Sequence, residues 1–318
     1  MWTGEGAKHR GRSRSPSQGF DIMSASTATV DRTCEGLCLA FSAQLIPNGF
    51  RRQGHRSALD TLLMLAIAQA NLAPLSRDPE FQKTYAGLDA SPPDEMRRPA
   101  RVRAIATSLG VPQETARRRV VALAEAGILV MSDDGVILPQ AFTYSPHAVE
   151  MAMETWNTFA QFYANLRRAG CLAPVPPATP DQPLPMRQMM RLWVDHFLRL
   201  IEALMPMVGD PFSVVMLFAI LDGGLAAGGK PASASAVARA LGLPFESVRR
   251  NALRITDNGL CQKVGRGYLI PPELMEEPRW RAFSERHAQI LMRFFAVMRE
   301  QGLLSWWEAQ YLAEGGRP

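Results

Sequence analysis

Two short stretches of the chain each end in a pair of adjacent arginines. The first is LGVPQETARR, which ends in Arg117 and Arg118, and the second is LGLPFESVRR, which ends in Arg249 and Arg250. A guanidinium group donates hydrogen bonds in a planar fork that matches phosphate oxygens and the acceptor edge of guanine. These residues therefore suit the recognition of a nucleic acid. The alternative is that the two arginines only solvate a helix face.

Both arginine pairs follow a glycine and a proline that predict a change of chain direction. Gly110 and Gly242 each come after a short predicted helix, and Pro112 and Pro244 stand two residues later. A glycine in the left-handed conformation ends a helix, and a proline fits the first turn of the next one. The pattern predicts a helix-turn-helix at both places, with the arginines on its second helix.

A short hairpin is predicted after each second helix. Gly127 and Gly259 end these helices, and the hairpins turn at Asp134-Gly135 and at Gly-Arg-Gly over 265–267. The segment Leu75 to Arg97 is predicted to be an extended loop because of its Ser-Pro-Pro. Hydrophobic periodicity places the elements of the first half at about 34–46, 57–71, 101–109, 113–126, 129–138 for the hairpin, and 147–168.

The two halves of the chain align at one offset of 132 residues, without a gap over some seventy positions. The identities fall on glycines, prolines and apolar positions, which favours a duplicated domain over a short solenoid repeat. The Pro-rich segment APVPPATPDQPLP is typical of an extended connector. We expect a flexible basic tail over 1–28, a first domain over 29–172, a linker over 173–185 and a second domain over 186–318.

The motif L-G-[VL]-P-x-E-[TS]-[AV]-R-R, the later glycine and the hairpin together resemble the winged helix-turn-helix of bacterial transcriptional regulators such as the GntR, DeoR and MarR families. The resemblance covers about forty residues of each half. The sequence lacks the Asp-x-Arg pattern of a MarR wing and a GntR-type effector domain, so no subfamily is assigned. The resemblance implies a mainly α fold with small β-hairpin wings, built as two winged helix-turn-helix domains in tandem with a pseudo-two-fold duplication.

The same resemblance implies a sequence-specific regulator of transcription whose partner is double-stranded DNA, and a cytoplasmic location is expected because the sequence shows neither a membrane span nor a secretory signal. Two recognition helices in one chain could read two half-sites one helical turn apart as a pseudo-dimer, and a further homodimer stays open. The rival interpretation is a tandem winged-helix protein that binds other proteins in chromosome-organising or replication assemblies. The residues expected to contact DNA are Gln113, Thr115, Arg117, Arg118, Ser247, Arg249, Arg250, Lys263 and Arg266.

The two copies differ in charge. Residues 112–139 carry a net charge of −1, with Asp133 and Asp134 at the tip of the hairpin, whereas residues 244–271 carry +3. Because phosphate contacts supply much of the affinity for DNA, the second copy is predicted to be the stronger binder. Arg97, Arg98, Arg101 and Arg103, ahead of the first motif, are expected to offset part of the difference.

No enzyme is predicted. The four cysteines and five histidines have no metal-ligand spacing, so neither a metal nor a cofactor is expected. The segment GLAAGGKP fits GxxxxGK, but Pro231 stands where a phosphate-binding loop needs Ser or Thr and the preceding segment reads as a helix. An aromatic stripe could line a pocket for a small apolar effector or pack helix against helix; it contains Trp156, Phe159, Phe162, Tyr163, Leu166, Ile290, Leu291, Phe294, Phe295 and Met298.

Overall composition and hydropathy describe a folded protein without a membrane anchor. Apolar residues make up 47% of the chain and charged residues 20%, which is typical of a globular domain rather than of a disordered chain. A net charge of +5 suits an anionic partner but is not specific for one. The longest apolar run, Val214 to Leu221, is shorter than a membrane span, so no membrane partner is expected.

Overall fold

The computed structural model describes residues 31–52, 57–179, 183–226 and 228–317. These residues are mainly helical, with two small antiparallel sheets, and the predicted class of mainly α with small β-hairpins is confirmed. Asp31–Pro318 form one compact unit. The predicted basic tail, residues 1–28, lies outside the described residues, as do residues 180–182 of the predicted linker.

The described residues of the first half form seven helices and one hairpin. A 3₁₀ turn also follows the second helix and another precedes the fourth. The elements are α1 Arg32–Arg52, α2 Ala58–Leu72, α3 Pro79–Thr84, α4 Val102–Ser108, α5 Gln113–Glu125, β1 Val130–Ser132, β2 Gly135–Ile137, α6 Gln140–Thr143 and α7 Pro146–Arg168.

Among the described residues, the second half repeats this order without a counterpart of α3 and adds one helix at its end. A further short strand precedes its helix-turn-helix. The elements are α8 Met186–Val208, α9 Pro211–Ala226, β3 Ala232–Ser233, α10 Ala234–Leu241, α11 Phe245–Asp257, β4 Gln262–Val264, β5 Gly267–Leu269, α12 Pro272–Met275, α13 Pro278–Glu300 and α14 Leu304–Ala313.

The turn glycines of the two halves adopt matching conformations. Gly110 and Gly242 have φ of 62° and 61°, and Gly127 and Gly259 have φ of 71° and 70°. Only glycine enters this left-handed region without strain, so each of them can end its helix where other residues would extend it. The predicted helix stops are therefore confirmed. The prolines differ slightly from the prediction, since Pro112 and Pro244 precede their helices as N-cap residues.

In each half, a residue that precedes the helix-turn-helix pairs with the second strand of the hairpin, and the two pairings are at equivalent positions. Ala100 pairs with Val136 next to β2, and Ala232 in β3 pairs with Tyr268 in β5. A Cβ atom on Gly135 would lie 2.6 Å from the Ala100 carbonyl oxygen, and the first hairpin therefore needs a glycine there. The predicted turn at Asp134-Gly135 is wrong by one residue, because Ser132 pairs with Gly135 and the turn is Asp133-Asp134.

The segment between α2 and α4 is not the extended loop that its prolines suggested. Asp78 accepts hydrogen bonds from the backbone N–H groups of Glu80, at 2.9 Å, and Phe81 and so caps α3, with Pro79 in its first turn. Phe81 is buried, which adds an apolar anchor to this short helix. An N-cap aspartate followed by proline was a helix-start signal that the loop prediction overlooked.

The first helix of each half packs across the other half. Helix α1 lies against α9, α10 and α13 as well as α7, and α8 packs on α2, α7 and α13. The seam is rich in aromatic rings. The ring centroids of Phe162 in α7 and Phe295 in α13 lie 5.6 Å apart, and Phe159 stacks on Trp307 with centroids 5.8 Å apart. Interleaved helices with rings at their contacts place the main core between the two halves.

Among the described residues, the stretch Ala58–Leu75 is long and apolar enough to span a membrane by length and composition alone, and Met186–Val208 with Pro211–Leu225 passes the same test only as a pair bent by 90°. Half of that stretch is buried inside the protein, and α2 packs on α4, α5 and α8. A buried core helix passes the same composition test, so this stretch does not decide where the protein resides.

Candidate nucleic-acid interface

The second helix of the first helix-turn-helix, α5, presents the residues that the sequence singled out. Ala116, Val120 and Leu123 are buried and hold the helix against the core. The opposite face is exposed at Gln113, Arg117 and Arg118, while Thr115 is half-buried. The spacing of the buried residues turns the arginine pair away from the core, as an amphipathic helix requires.

Helix α11 presents its counterpart in the same way. Val248, Ala252 and Ile255 are buried, Arg249 and Arg250 are exposed, and Ser247 is half-buried. Helices α5 and α11 differ in most of their residues, yet both place an arginine pair at equivalent positions that face solvent. Because these side chains face solvent, a phosphate or a base edge can reach them without any rearrangement of the helices.

The first arginine of each pair is held by a glutamate one turn earlier. Arg117 donates two hydrogen bonds of 2.9 Å to Glu114, and Arg249 Nε donates one of 2.9 Å to Glu246. Hydrogen bonding between them raises the pKa of Arg117 and lowers that of Glu114. Such exposed pairs are weak and exchange readily with a stronger anion.

The second arginine of each pair is unengaged. Within the described part of the chain, Arg118 and Arg250 have no hydrogen-bond or ion-pair partner. Each helix therefore offers one guanidinium that is oriented by a glutamate and one that is free. A fixed donor fork is suited to reading a base edge, and a free one to following a phosphate.

The two hairpins differ at the surface although they share a register. In the second hairpin Lys263 and Arg266 are both exposed. In the first, Asp133 and Asp134 form the exposed tip, and the edge strand β1 exposes Val130 and Met131 to 50% and 44%. Two cations and the apolar Val264, which is 44% exposed, face solvent on the second hairpin, whereas two carboxylates and two apolar side chains do so on the first.

Two arginines that entered the predicted charge balance are bound within the protein. Arg119 pairs with Asp60 and also donates to Ser57 Oγ at 3.0 Å, at the start of α2. Arg254 pairs with Asp210, whose carboxylate accepts from the backbone N–H of Phe212 at 2.9 Å. Both arginines anchor the second motif helix to the start of a core helix, so neither is a free contact for phosphate.

The cationic cluster expected ahead of the first motif is smaller than predicted. Arg97 is buried, and its Nη2 donates to Ser91 Oγ at 3.2 Å and to the Pro92 carbonyl at 3.0 Å. Burial lowers the pKa of its guanidinium, and nearby Asp94 partly opposes that effect. The other three arginines, Arg98, Arg101 and Arg103, are exposed.

One exposed residue on the second motif was missed by the sequence reasoning. Phe245 is the first residue of α11 and its side chain is 49% exposed. Its counterpart in α5 is Gln113. The chain turns this apolar ring toward solvent. A signal existed in the sequence, because the apolar stripe of the helix begins three residues later at Val248.

The remaining candidate sites have structural explanations. Gly224 to Ala226 are the last residues of α9, so GLAAGGKP follows a helix rather than a strand. Phe159 of α7 and Phe294 of α13, both in the aromatic stripe, are buried, and their ring centroids lie 5.2 Å apart. These rings pack helix against helix. Among the described residues, no three His, Cys, Asp or Glu side chains are placed to hold a metal ion.

Comparison of the chain with models of protein families, with curated proteins and with solved structures finds no match in any of the three.

Proposed function

We propose that this chain is a cytoplasmic, sequence-specific DNA-binding regulator of transcription, built from two winged helix-turn-helix units. One observation carries the proposal: two helix-turn-helix segments, each followed by a hairpin, expose an arginine pair at the same position of the second helix. A single exposed pair would be an ordinary solvated helix face. Its repetition on equivalent helices supports a shared binding task.

In the proposed complex α5 and α11 are the recognition helices in the major groove. Arg249 and Arg250 contact guanine edges or phosphates, with Arg117 and Arg118 as their equivalents. The hairpins act as wings, and Lys263 and Arg266 lie against the adjoining backbone. The two units form a pseudo-dimer that reads two half-sites, and α1 and α8, which pack across the halves, set their separation.

The test is a mobility-shift assay of the purified chain on fragments of its own genome over a salt series. We expect selective retention of a few fragments, with affinity that falls steeply as salt rises. The variant with Arg249→Ala and Arg250→Ala is expected to lose that retention, whereas Arg286→Ala, an exposed arginine of α13, keeps it. Absence of binding at low salt, or retention that survives loss of the pair, would contradict the proposal.

A second function is favoured for the first unit by the surface of its hairpin. The edge strand β1 exposes Val130 and Met131 beside the carboxylates of Asp133 and Asp134. An acidic tip repels a phosphate backbone, and exposed apolar side chains on a strand edge suit a protein contact. This unit would then bind a protein while the second binds DNA. Cross-linking from a photoreactive residue at 131 that yields only DNA adducts would reject this division.

A further inference from the structure

The segment that joins α2 to α4 in the first half has no equivalent of its size in the second half. The two helices are separated by residues 73–101, which include α3, whereas only residues 227–233 separate α9 from α10. We call residues 73–99 the insertion. Phe81, Ser91 and Arg97 of the insertion are buried. Burial of this kind ties a segment to the fold, so the residues that it contacts indicate its role.

Two arginines of α8, a helix of the second half, hold the insertion by its backbone carbonyls. Arg187 Nε donates a hydrogen bond to the Leu88 carbonyl at 2.7 Å. Arg191 Nη1 donates one to the Tyr85 carbonyl at 2.7 Å. The backbone N–H of Arg187 also donates to the Ala86 carbonyl at 2.9 Å. Hydrogen bonds from a charged donor are stronger than neutral ones, and bonds along one stretch of chain fix its orientation on α8.

Both guanidinium groups also lie over aromatic rings of the first half. The Arg187 guanidinium carbon is 4.8 Å from the ring centroid of Tyr144, and that of Arg191 is 5.2 Å from the ring centroid of Phe81. A planar guanidinium can stack on a ring while it donates to carbonyls, which the compact ammonium of a lysine does not do equally well. These contacts therefore require arginine rather than a positive charge alone.

The same contacts reach the first helix-turn-helix through α6. Both Nη atoms of Arg187 donate to the Thr143 carbonyl of α6, each at 3.2 Å. Gln140, the first residue of α6, donates from its side chain to the Ser91 carbonyl at 2.7 Å. Helix α6 follows β2, and β2 pairs with Ala100 just ahead of α4. A continuous set of contacts thus joins α8 to the insertion and to the hairpin of the first unit.

The second unit is held to the shared core in another way. Its first motif helix, α10, packs directly on α1, which is the first helix of the other half as α8 is for the first unit. One unit is therefore fixed by a direct helix contact, and the other through a hydrogen-bonded segment that only its own half contains.

We propose that Arg187 and Arg191 are positioning residues that fix the first unit relative to the second and so set the spacing of the two DNA half-sites that the chain accepts. The inference rests on the proposed function and deepens it, because it states which DNA geometry fits. Each base pair inserted between half-sites adds about 3.4 Å of length and about a tenth of a turn. Two rigidly held units cannot follow such a shift, whereas a unit released from α8 can.

The experiment measures, by fluorescence anisotropy, binding of the full chain to one selected DNA site and to versions with one, two or five base pairs inserted between its half-sites. Two inserted base pairs should weaken the wild type at least about tenfold, as loss of half-site contacts would, and the Arg187→Ala, Arg191→Ala variant at most about threefold. A double variant that loses affinity in parallel at every spacing has lost stability alone, and that result would overturn the proposal.

The matched control is Arg199→Ala. Arg199 is an exposed arginine of the same helix, and its ion pair with Asp195, at 2.9 Å, lies within α8. This variant should keep the wild-type dependence on spacing. A relaxed spacing preference in Arg199→Ala as well would show that any lost charge on α8 has this effect, and would also overturn the proposal.

A second measurement needs no DNA. Nitroxide labels at Glu125 and Asp257, the equivalent last residues of α5 and α11, report the distance between the two units by pulsed electron spin resonance. A ketone-bearing residue carries each label, which leaves the cysteines unmodified. The distance distribution should broaden in the double variant and match the wild type in Arg199→Ala, and an unchanged distribution would overturn the inference. If the chain binds no DNA, the proposed function fails, whereas the distances still decide whether the two arginines hold the first unit.

Discussion

The two halves of the chain agree in their buried residues and differ in their exposed ones. The turn glycines match in conformation, and the pairing of Ala100 with Val136 recurs as Ala232 with Tyr268. The hairpin tips, by contrast, are acidic at Asp133 in one half and basic in the other. Buried positions specify the same local fold, whereas surface positions are free to serve different partners.

The comparison also separates arginines that bind within the protein from arginines that face solvent. Arg119 and Arg254 occupy non-equivalent positions of their helices, yet each pairs with an aspartate at the start of a core helix. Once both are removed from the count, the exposed cations near the second motif are Arg249, Arg250, Lys263 and Arg266. The first motif keeps one pair on its helix, and Arg98, Arg101 and Arg103 are exposed ahead of that helix. The number of exposed cations therefore does not rank the two units, and the proposed ranking depends on the acidic tip of the first hairpin.

The largest loss of stability is expected at Arg167, because it pairs with a buried carboxylate whereas the equivalent arginine of the second half, Arg299, donates only to a backbone carbonyl in the described structure. Arg167 forms a buried ion pair with Glu308 of α14 at 2.9 Å, and the Tyr163 hydroxyl also donates to Glu308. Its counterpart Arg299 is exposed and donates to the Ala173 carbonyl. Arg167→Ala leaves a buried carboxylate with one partner fewer, so we expect a loss of about 3–5 kcal/mol in the free energy of unfolding.

The matched variant Arg299→Ala should lose less than about 1 kcal/mol, because its side chain is solvated. Urea denaturation followed by circular dichroism measures both. An equal loss of unfolding free energy in the two variants would contradict the prediction that the ion pair with Glu308 of α14 makes Arg167 the more important of the two.

A smaller loss of stability is expected at the glycine that begins the second strand of each hairpin, Gly135 in β2 and Gly267 in β5. Gly135 has φ of 144° and a Cβ atom there would lie 2.6 Å from the Ala100 carbonyl, whereas on Gly267 it would lie 2.9 Å from the Ala232 carbonyl. Gly135→Ala combines a clash with backbone strain, so it should destabilise the protein by about 1–3 kcal/mol, and more than Gly267→Ala. Thermal unfolding by calorimetry tests this order, and a larger loss at Gly267 would reverse it.

Phe245 is expected to sharpen the contrast between α11 and α5, the two proposed recognition helices. An exposed ring at the start of α11 can pack on the methyl group of thymine in the major groove. Phe245→Gln, which copies Gln113 of the first unit, should weaken binding to the selected site about fivefold. DNA with uracil in place of thymine should weaken the wild type equally and the variant hardly at all. Equal sensitivity of both proteins to uracil would exclude the contact.

The smallest effect is expected at the hairpin tips. Replacing Asp133 by Gly and Asp134 by Arg copies Gly265-Arg266 into the first hairpin. Removing two carboxylates and adding one cation should raise the affinity for DNA about threefold and increase the slope of log affinity against log salt by about one. Fluorescence anisotropy over a salt series measures both quantities. An unchanged slope would place the first hairpin away from the DNA.

Much of the local fold could be predicted from residues that act through short-range chemistry. Gly110 and Gly242, with the prolines that follow, predicted both helix-turn-helix segments because a left-handed glycine stops a helix within a few residues. The burial of Arg97 could not be predicted, because its partners Ser91 and Pro92 meet it only through the folded loop. The outward ring of Phe245, by contrast, had a signal in the sequence, because the buried stripe of α11 begins at Val248.

One measurement tests the central claim, that the second unit is the stronger reader of DNA. It compares the Arg117→Ala, Arg118→Ala variant with the Arg249→Ala, Arg250→Ala variant on one selected DNA site by fluorescence anisotropy at fixed salt. We predict that the second pair costs at least about tenfold in affinity, as expected for loss of a base-reading contact, and the first pair at most about threefold. Equal losses, or a larger loss from the first pair, would contradict the account.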